Sequence, residues 1–321
     1  MSEMNPIVSI SVLTYNHENY IRQALDSFLV QKTNFPFEIL IHDDASTDKT
    51  QDIIREYQEK YPDKIFPICQ NENQYSKGIF TVSANFNFPR ARGKYIAFCE
   101  GDDYWIDMDK LQKQVDYMEG HEKCSMYIHA ADLVTVNNEY IRDSRPFLKD
   151  CELLIEDVID ERELYPSASM LFRTDYVKTL PDFYYHAPVG DIPLHLYMST
   201  KGYIYYKNEK MSAYRLGGAD SWTTNILADK TRERTRQHNL KLQKMFEEFD
   251  EFTRFKYHEI VNYTIKRLQL GYLLDGEEFR KALSSKFKDQ RRKELTKKEI
   301  FYIYFRLLIP KEVYKRIWKR N

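Results

Sequence analysis

The chain has 321 residues, 42% hydrophobic and 30% charged, with a formal net charge of -1. That length holds one large domain or two ordinary ones with a sizeable core, and the balanced charge excludes a general nucleic-acid-binding surface. Cys69, Cys99, Cys124 and Cys151 are too scattered for a zinc site or disulfide framework, and no apolar run of about 18 residues predicts a spanning helix. Met1–Pro6 lacks the basic and apolar regions of a signal peptide, so a cytoplasmic protein is expected.

Ile7–Leu13 is a short, β-branched apolar run and reads as a buried strand, ending in the polar loop Thr14-Tyr15-Asn16-His17. Ile21, Ala24, Leu25, Phe28 and Leu29 then recur at helical spacing. Phe37–Ile41 is the second strand, closed by His42-Asp43-Asp44-Ala45-Ser46-Thr47-Asp48, which supplies an N-cap for a helix through Ile53, Ile54 and Tyr57. A third strand is expected at Ile65–Cys69, a helix across Val82–Phe88 and a fourth strand at Lys94–Cys99. This βαβ rhythm predicts an α/β fold with a mostly parallel sheet, right-handed crossovers and flanking helices.

Three polar turns fall at strand carboxyl ends, the edge where open α/β sheets bind ligands. The last is Glu100-Gly101-Asp102-Asp103, three carboxylates within four residues. Carboxylates crowded at a buried edge repel, and a hard divalent cation is the natural remedy. The plainer alternative is a solvated turn that caps the next helix. A pocket built from these turns suits a nucleoside diphosphate: Tyr15 lies against a base, Asp44 accepts from a ring N–H, and Asp102 and Asp103 hold ribose and metal.

Further on, a helix carries Leu111, Val115, Tyr117 and Met118, and strands flank the Asn137-Asn138 turn. Ala168–Arg173 is another strand, and Gly190-Asp191-Ile192-Pro193-Leu194 opens an apolar helix to Ser199. Tyr203–Tyr206 and Met211–Tyr214 read as two short strands, and Gly217-Gly218 to Trp222 as a flexible loop. From about Asp229 the pattern becomes long and helical, so a boundary is placed near 225, giving a domain at 1–225 and a helical appendage at 226–290. Residues 291–321 hold 11 Lys or Arg against 3 Glu, a local +8. Interleaved with Phe301, Tyr304, Leu308 and Trp318, these bases suit either a helix lying on an anionic membrane or a docked helix with a solvated basic face.

Three segments together, Ser9–Asn16, Glu38–Asp48 and Ala91–Phe98, resemble the inverting glycosyltransferases of family two with the GT-A fold, over roughly the first two-thirds of the chain. The resemblance implies a Rossmann-like GT-A domain, a nucleotide-sugar donor (UDP by resemblance only), a hydroxyl acceptor on a glycan or lipid carrier, and Mn²⁺ or Mg²⁺ at an Asp-x-Asp-like motif. Thr14, Tyr15, Asn16, Asp43 and Asp44 would line the donor, with Tyr15 and Asp44 on the nucleobase. Asp102 would contact ribose or donor sugar and Asp103 the metal. The strict Asp-x-Asp is not present, the stretch being Glu100-Gly101-Asp102-Asp103, so whether Glu100 shares the role is open. Lys77 or Arg92 would meet the diphosphate. Asp191 would be the general base, although capping its own helix is the ordinary role of an Asp there. His186 could orient an acceptor. The segment from Tyr214-Arg215 through Gly217-Gly218 resembles a mobile loop whose Trp222 stacks on a sugar. The expectation is a hexosyl- or N-acetylhexosaminyltransferase in surface polysaccharide synthesis, peripheral on the inner membrane face. A nucleotidylyltransferase, or a non-catalytic nucleotide-sugar or glycan-binding module, is the alternative.

Overall fold

Val8–Thr14 (β1) is buried along nearly its whole length, as a central strand of a covered parallel sheet must be. In this computed structural model residues 5–160, 165–218 and 232–309 are described. The helix after β1, Ile21–Leu29 (α1), buries Ile21, Ala24, Leu25 and Phe28 on one face; the Ile, Leu and Phe side chains each contribute about 1.5–3 kcal/mol of transfer free energy. Phe37–Asp43 (β2), Thr50–Lys60 (α2), Ile65–Cys69 (β3), Val82–Phe86 (α3) and Tyr95–Glu100 (β4) complete the predicted βαβ series.

The chain continues through Tyr104–Trp105 (β5), Lys110–Gly120 (α4), Cys124–Thr135 (β6), Tyr140–Ser144 (β7) and Cys151–Leu153 (β8). Ile155–Ile159 (α5), Leu171–Arg173 (β9), Thr174–Val177 (α6), Asp182–His186 (α7), Asp191–Ser199 (α8) and Tyr203–Leu216 (β10) follow. All ten strands form one sheet in the order β3-β2-β1-β4-β9-β6-β10-β5, with β7 beside β6 and β8 beside β10. Strands β3, β2, β1 and β4 run parallel. Strand β9 is antiparallel to both β4 and β6, which in turn runs parallel to β10. This is the predicted α/β sheet with helices around it.

Register positions the chemistry. Thr14 pairs with Asp43, while Leu13 lies between His42 on one side and Glu100 on the other. The chain moves outward from β1 to β2 and β3, then returns to β4 on the opposite side of β1. That reversal opens a crevice at the carboxyl ends of β1 and β4, where the acidic turns lie.

Two expectations need correction. The pair of short strands at 203–206 and 211–214 is one 14-residue strand, β10. The polar Lys207–Lys210 stretch that suggested a break is a register shift against β6, so an irregularity takes the polar residues without ending the strand. Tyr214 and Arg215 therefore belong to β10 and not to a mobile loop.

By Cα packing the chain divides into Met1–Ala228 and Asp229–Asn321. In the second unit Glu233–Phe252 (α9), His258–Asp275 (α10), Phe279–Ala282 (α11), Lys288–Glu294 (α12) and Lys297–Leu308 (α13) follow one another. Met245, Phe246 and Phe249 of α9 and Val261, Ile265 and Leu270 of α10 are buried. No described helix is long and apolar enough to cross a membrane.

Candidate active site

Two turns are laced together at the β1 and β2 ends. The amide of Asp44 donates to the Thr14 carbonyl at 2.9 Å. Asn16, in the left-handed region at φ 56°, presents its side-chain oxygen to the Thr47 amide at 2.9 Å. Asp43 is fully buried and accepts from the Ser46 amide at 3.0 Å and Gln51 Nε2 at 2.6 Å. Asp44 accepts from the amides of Gln74 at 2.7 Å and Tyr75 at 3.0 Å, and these bonds with His42 hold its carboxyl below the usual range against the opposing effect of burial. Asp44 thus ties the 71–78 loop to the site edge, beside the exposed ring of Tyr15.

The β4 end approaches closely. Gly101 donates to the Leu13 carbonyl at 2.7 Å, and a Cβ on Gly101 would lie 2.9 Å from Thr14 Oγ1 and 3.0 Å from His17 Nδ1. Only glycine lets these strand ends meet. His17 Nε2 then sits 3.8 Å from Asp102 Oδ2. Asp102 Oδ1 and Asp103 Oδ2 are buried with no hydrogen-bond partner among the described residues. Glu100 is pushed up to about 8, first by burial and then by the negative charges of Asp102 and Asp191. Asp103 is raised well above its ordinary value by burial and by Asp102 and Glu100, opposed by its bond from Arg215.

Arg215 fixes this end of the sheet. Its amide donates to Asp103 Oδ1 at 2.8 Å and its Nε to the Asp102 carbonyl at 2.7 Å. Its other nitrogens reach Asn138 Oδ1 at 2.8 Å and Gln23 Oε1 at 3.0 Å, and its guanidinium lies 4.5 Å from the Tyr20 ring centroid. Asp191 opens α8, with its Oδ1 accepting from the Ile192 amide at 2.8 Å. Its charge is felt by Glu100 and by the buried phenol of Tyr184, which burial and Asp191 push up. Asp191 thus lies within electrostatic reach of the Glu100 strand end. Buried, unpartnered carboxylate oxygens of this kind suit a hard divalent cation. No three His, Cys, Asp or Glu side chains converge on one point among the described residues.

The family model described as glycosyl transferase family 2 matches residues 9–177, the span that contains both laced turns and the acidic strand end. The chain belongs to that family. An uncharacterised protein of Mycobacterium tuberculosis is 33% identical over 239 residues, 73% of this chain and 65% of the relative, so the chain spans about 65% of the length of such curated relatives. The Escherichia coli UDP-Glc:alpha-D-GlcNAc-diphosphoundecaprenol beta-1,3-glucosyltransferase WfaP is 38% identical over 113 residues, 35% of this chain and 41% of that protein. The mannosyltransferase PcManGT from Pyrobaculum calidifontis, solved with GDP-Man and Mn²⁺, shares the fold at a TM-score of 0.54 and 15% identity, covering 99% of this chain and 89% of that one.

In this family-2 chain Thr14, Tyr15, Asn16, Asp43, Asp44, Glu100, Asp102 and Asp103 meet at the in-register strand ends, and the charge of Asp191 acts on Glu100. Lys77 is ion-paired with Glu72 on the loop that Asp44 anchors. His186 ends α7, five residues before Asp191. Arg92 is a correction: its Nε bonds Glu38 Oε2 at 2.8 Å at the start of β4, a strand length, roughly 20 Å, from the acidic end. Asp103 is 1% exposed, with Oδ1 taken by the Arg215 amide and Oδ2 without a partner among the described residues, and the Asp102 side chain is 17% exposed. Trp222 lies outside the described residues. Sequence reasoning missed His17, Tyr184 and Arg215 as site residues. A separate groove of about 430 Å³ in the second unit, lined by Leu240, Leu268, Tyr272 and Phe287 among others, includes none of these carboxylates.

Proposed function

We propose that residues 1–225 form the catalytic domain of an inverting, divalent-cation-dependent glycosyltransferase. It moves a hexosyl or N-acetylhexosaminyl group from a UDP-sugar to a hydroxyl of a glycan or lipid-linked acceptor in surface polysaccharide synthesis, on the inner face of the membrane. The observation that carries this reading is the convergence of the Thr14, Asp43 and Glu100 strand ends in register, with Gly101 bonded to the Leu13 carbonyl and the Asp191 charge acting on Glu100. Tyr15 lies against the nucleobase, the Asp44 turn shapes its pocket, Thr14 and Asn16 line the donor, and Lys77 stands at the rim. Asp102, with Glu100, holds Mn²⁺ or Mg²⁺. A cation held there would supply the positive charge that offsets the departing diphosphate.

Asp191 accepts the proton of the acceptor hydroxyl. The acceptor oxygen bonds the anomeric carbon from the face opposite the nucleotide. As the bond to the diphosphate oxygen breaks, its electron pair leaves with the nucleotide and the configuration inverts. His186 stands on the acceptor side. The UDP donor and the lipid-diphosphate acceptor draw support from the relative WfaP, a UDP-Glc:alpha-D-GlcNAc-diphosphoundecaprenol beta-1,3-glucosyltransferase. A panel of UDP-sugars should release UDP with Mn²⁺, lose that release in EDTA and recover it on re-addition of metal. Equal release in EDTA would overturn the metal assignment, and pyrophosphate as product would move the chain to nucleotidyl transfer.

A further inference from the structure

The last described helix, α13, has one face accounted for and one left over. A capping box starts it: Thr296 Oγ1 accepts from the Glu299 amide at 3.2 Å, and the Glu299 carboxylate accepts from the Thr296 amide at 2.7 Å. Its inner face buries Ile303 and Arg306. Arg306 pairs with Glu277 at 3.0 Å and lies over the Phe279 ring, and Tyr302 meets the same ring edge-on. The roll of the helix is therefore fixed within its own unit.

The opposite face carries Phe301 at 70% exposure, Tyr304 at 54% and Leu308 at 82%, with Tyr302 and Leu307 flanking them. Positions 301, 304 and 308 form one stripe by helical spacing. Contiguous exposed apolar side chains of this size mark an interaction surface. Lys297 and Lys298 are exposed in the first turn, where the helix dipole disfavours cations, so these bases are not placed for helix stability. Across residues 291–321 the sequence has 11 bases against 3 acids.

We infer that the Phe301–Tyr304–Leu308 face of α13, with its flanking lysines, docks on an anionic lipid bilayer. Aromatic and aliphatic side chains entering the headgroup boundary beside Lys and Arg are the composition that an in-plane amphipathic helix requires. A second copy fits less well, because an isologous contact through this face would set bases against bases. The inference rests on the transferase reading only in its consequence, access to a lipid-linked acceptor; its physical evidence is the face itself.

The full chain should pellet with phosphatidylcholine vesicles that contain phosphatidylglycerol and stay in the supernatant with phosphatidylcholine alone. Added salt should weaken the association. Phe301→Asp combined with Leu308→Asp should reduce vesicle binding about tenfold or more, while the urea midpoint and donor-dependent UDP release remain those of the unaltered chain. Lys297→Glu with Lys298→Glu should act in the same direction without touching the apolar stripe. Equal pelleting of native and both variants, or no preference for the anionic lipid, overturns the proposal. So does a dimer in sedimentation velocity that the aspartates dissolve while no form binds vesicles. Loss of UDP release in the native chain with vesicle binding intact would instead fail the transferase reading and leave the docking face standing.

Discussion

Arg215 ties down the acidic strand end through its bonds to Asp102 and Asp103. Its guanidinium and amide join α1 through Gln23, the hairpin turn through Asn138, and the carboxylate loop through Asp102 and Asp103. Arg215→Lys keeps the charge but loses the planar fork. With roughly 1–3 kcal/mol for each buried acceptor left without a donor, the variant should be destabilised by roughly 3 kcal/mol. Urea denaturation reads this directly, and a midpoint unchanged from the native chain would show that the clamp contributes nothing. The acidic members were legible because three carboxylates at a strand end have few other uses. Arg215 was not, since a lone Arg inside the apolar run Met211–Leu216 gives no sign of what its side chain reaches across the fold. The same blindness assigned Arg92 to the diphosphate: proximity to β4 in sequence does not say which end of the strand a side chain serves.

At the level of elements, α4 carries a buried ammonium group. Lys110 is fully buried, donates to Gln114 Oε1 at 2.8 Å and sits 4.0 Å from the Trp105 ring centroid. Burial pushes its ammonium down from 10.5 to about 7, partly opposed by Cys99 and Asp107. The folded chain therefore releases a proton near pH 7 that the unfolded chain keeps until about 10.5. In that window the unfolded state binds more protons, so this group makes stability rise with pH; below about 7 both states are charged and its contribution is flat and least favourable. Lys110→Met should remove that rise and stabilise the chain at pH 6, on the order of a few kcal/mol. Chemical denaturation of both forms across pH 6–10 checks it, and parallel profiles would contradict it. The βαβ series was legible in the periodicity of Ile21–Leu29 and in the apolar runs of β1 to β4. The short elements β5, β8, α5 and α7 were not, because two to five residues hold too little pattern to read. Strand β10 was split for the opposite reason: its polar Lys207–Lys210 stretch imitates a turn, and only the facing β6 reveals the register shift.

Across the whole molecule, the first unit brings chemistry from distant stretches to one sheet edge, and the second supplies helices with no comparable acidic locus among their described residues. That the Asp191 charge reaches Glu100 could be anticipated from the linear sequence only by resemblance, since 90 residues and five strands separate the two. In the proposed reaction Asp191 is needed for turnover and not for donor binding. Asp191→Asn keeps a side-chain oxygen to accept from the Ile192 amide, so the start of α8 should survive. The decisive measurement is therefore kcat for UDP-sugar-dependent transfer by Asp191→Asn, with donor affinity determined by calorimetry in the same Mn²⁺ buffer. The account predicts unchanged donor affinity and a fall in kcat of about 100-fold or more; full turnover, or donor binding lost together with turnover, would contradict it.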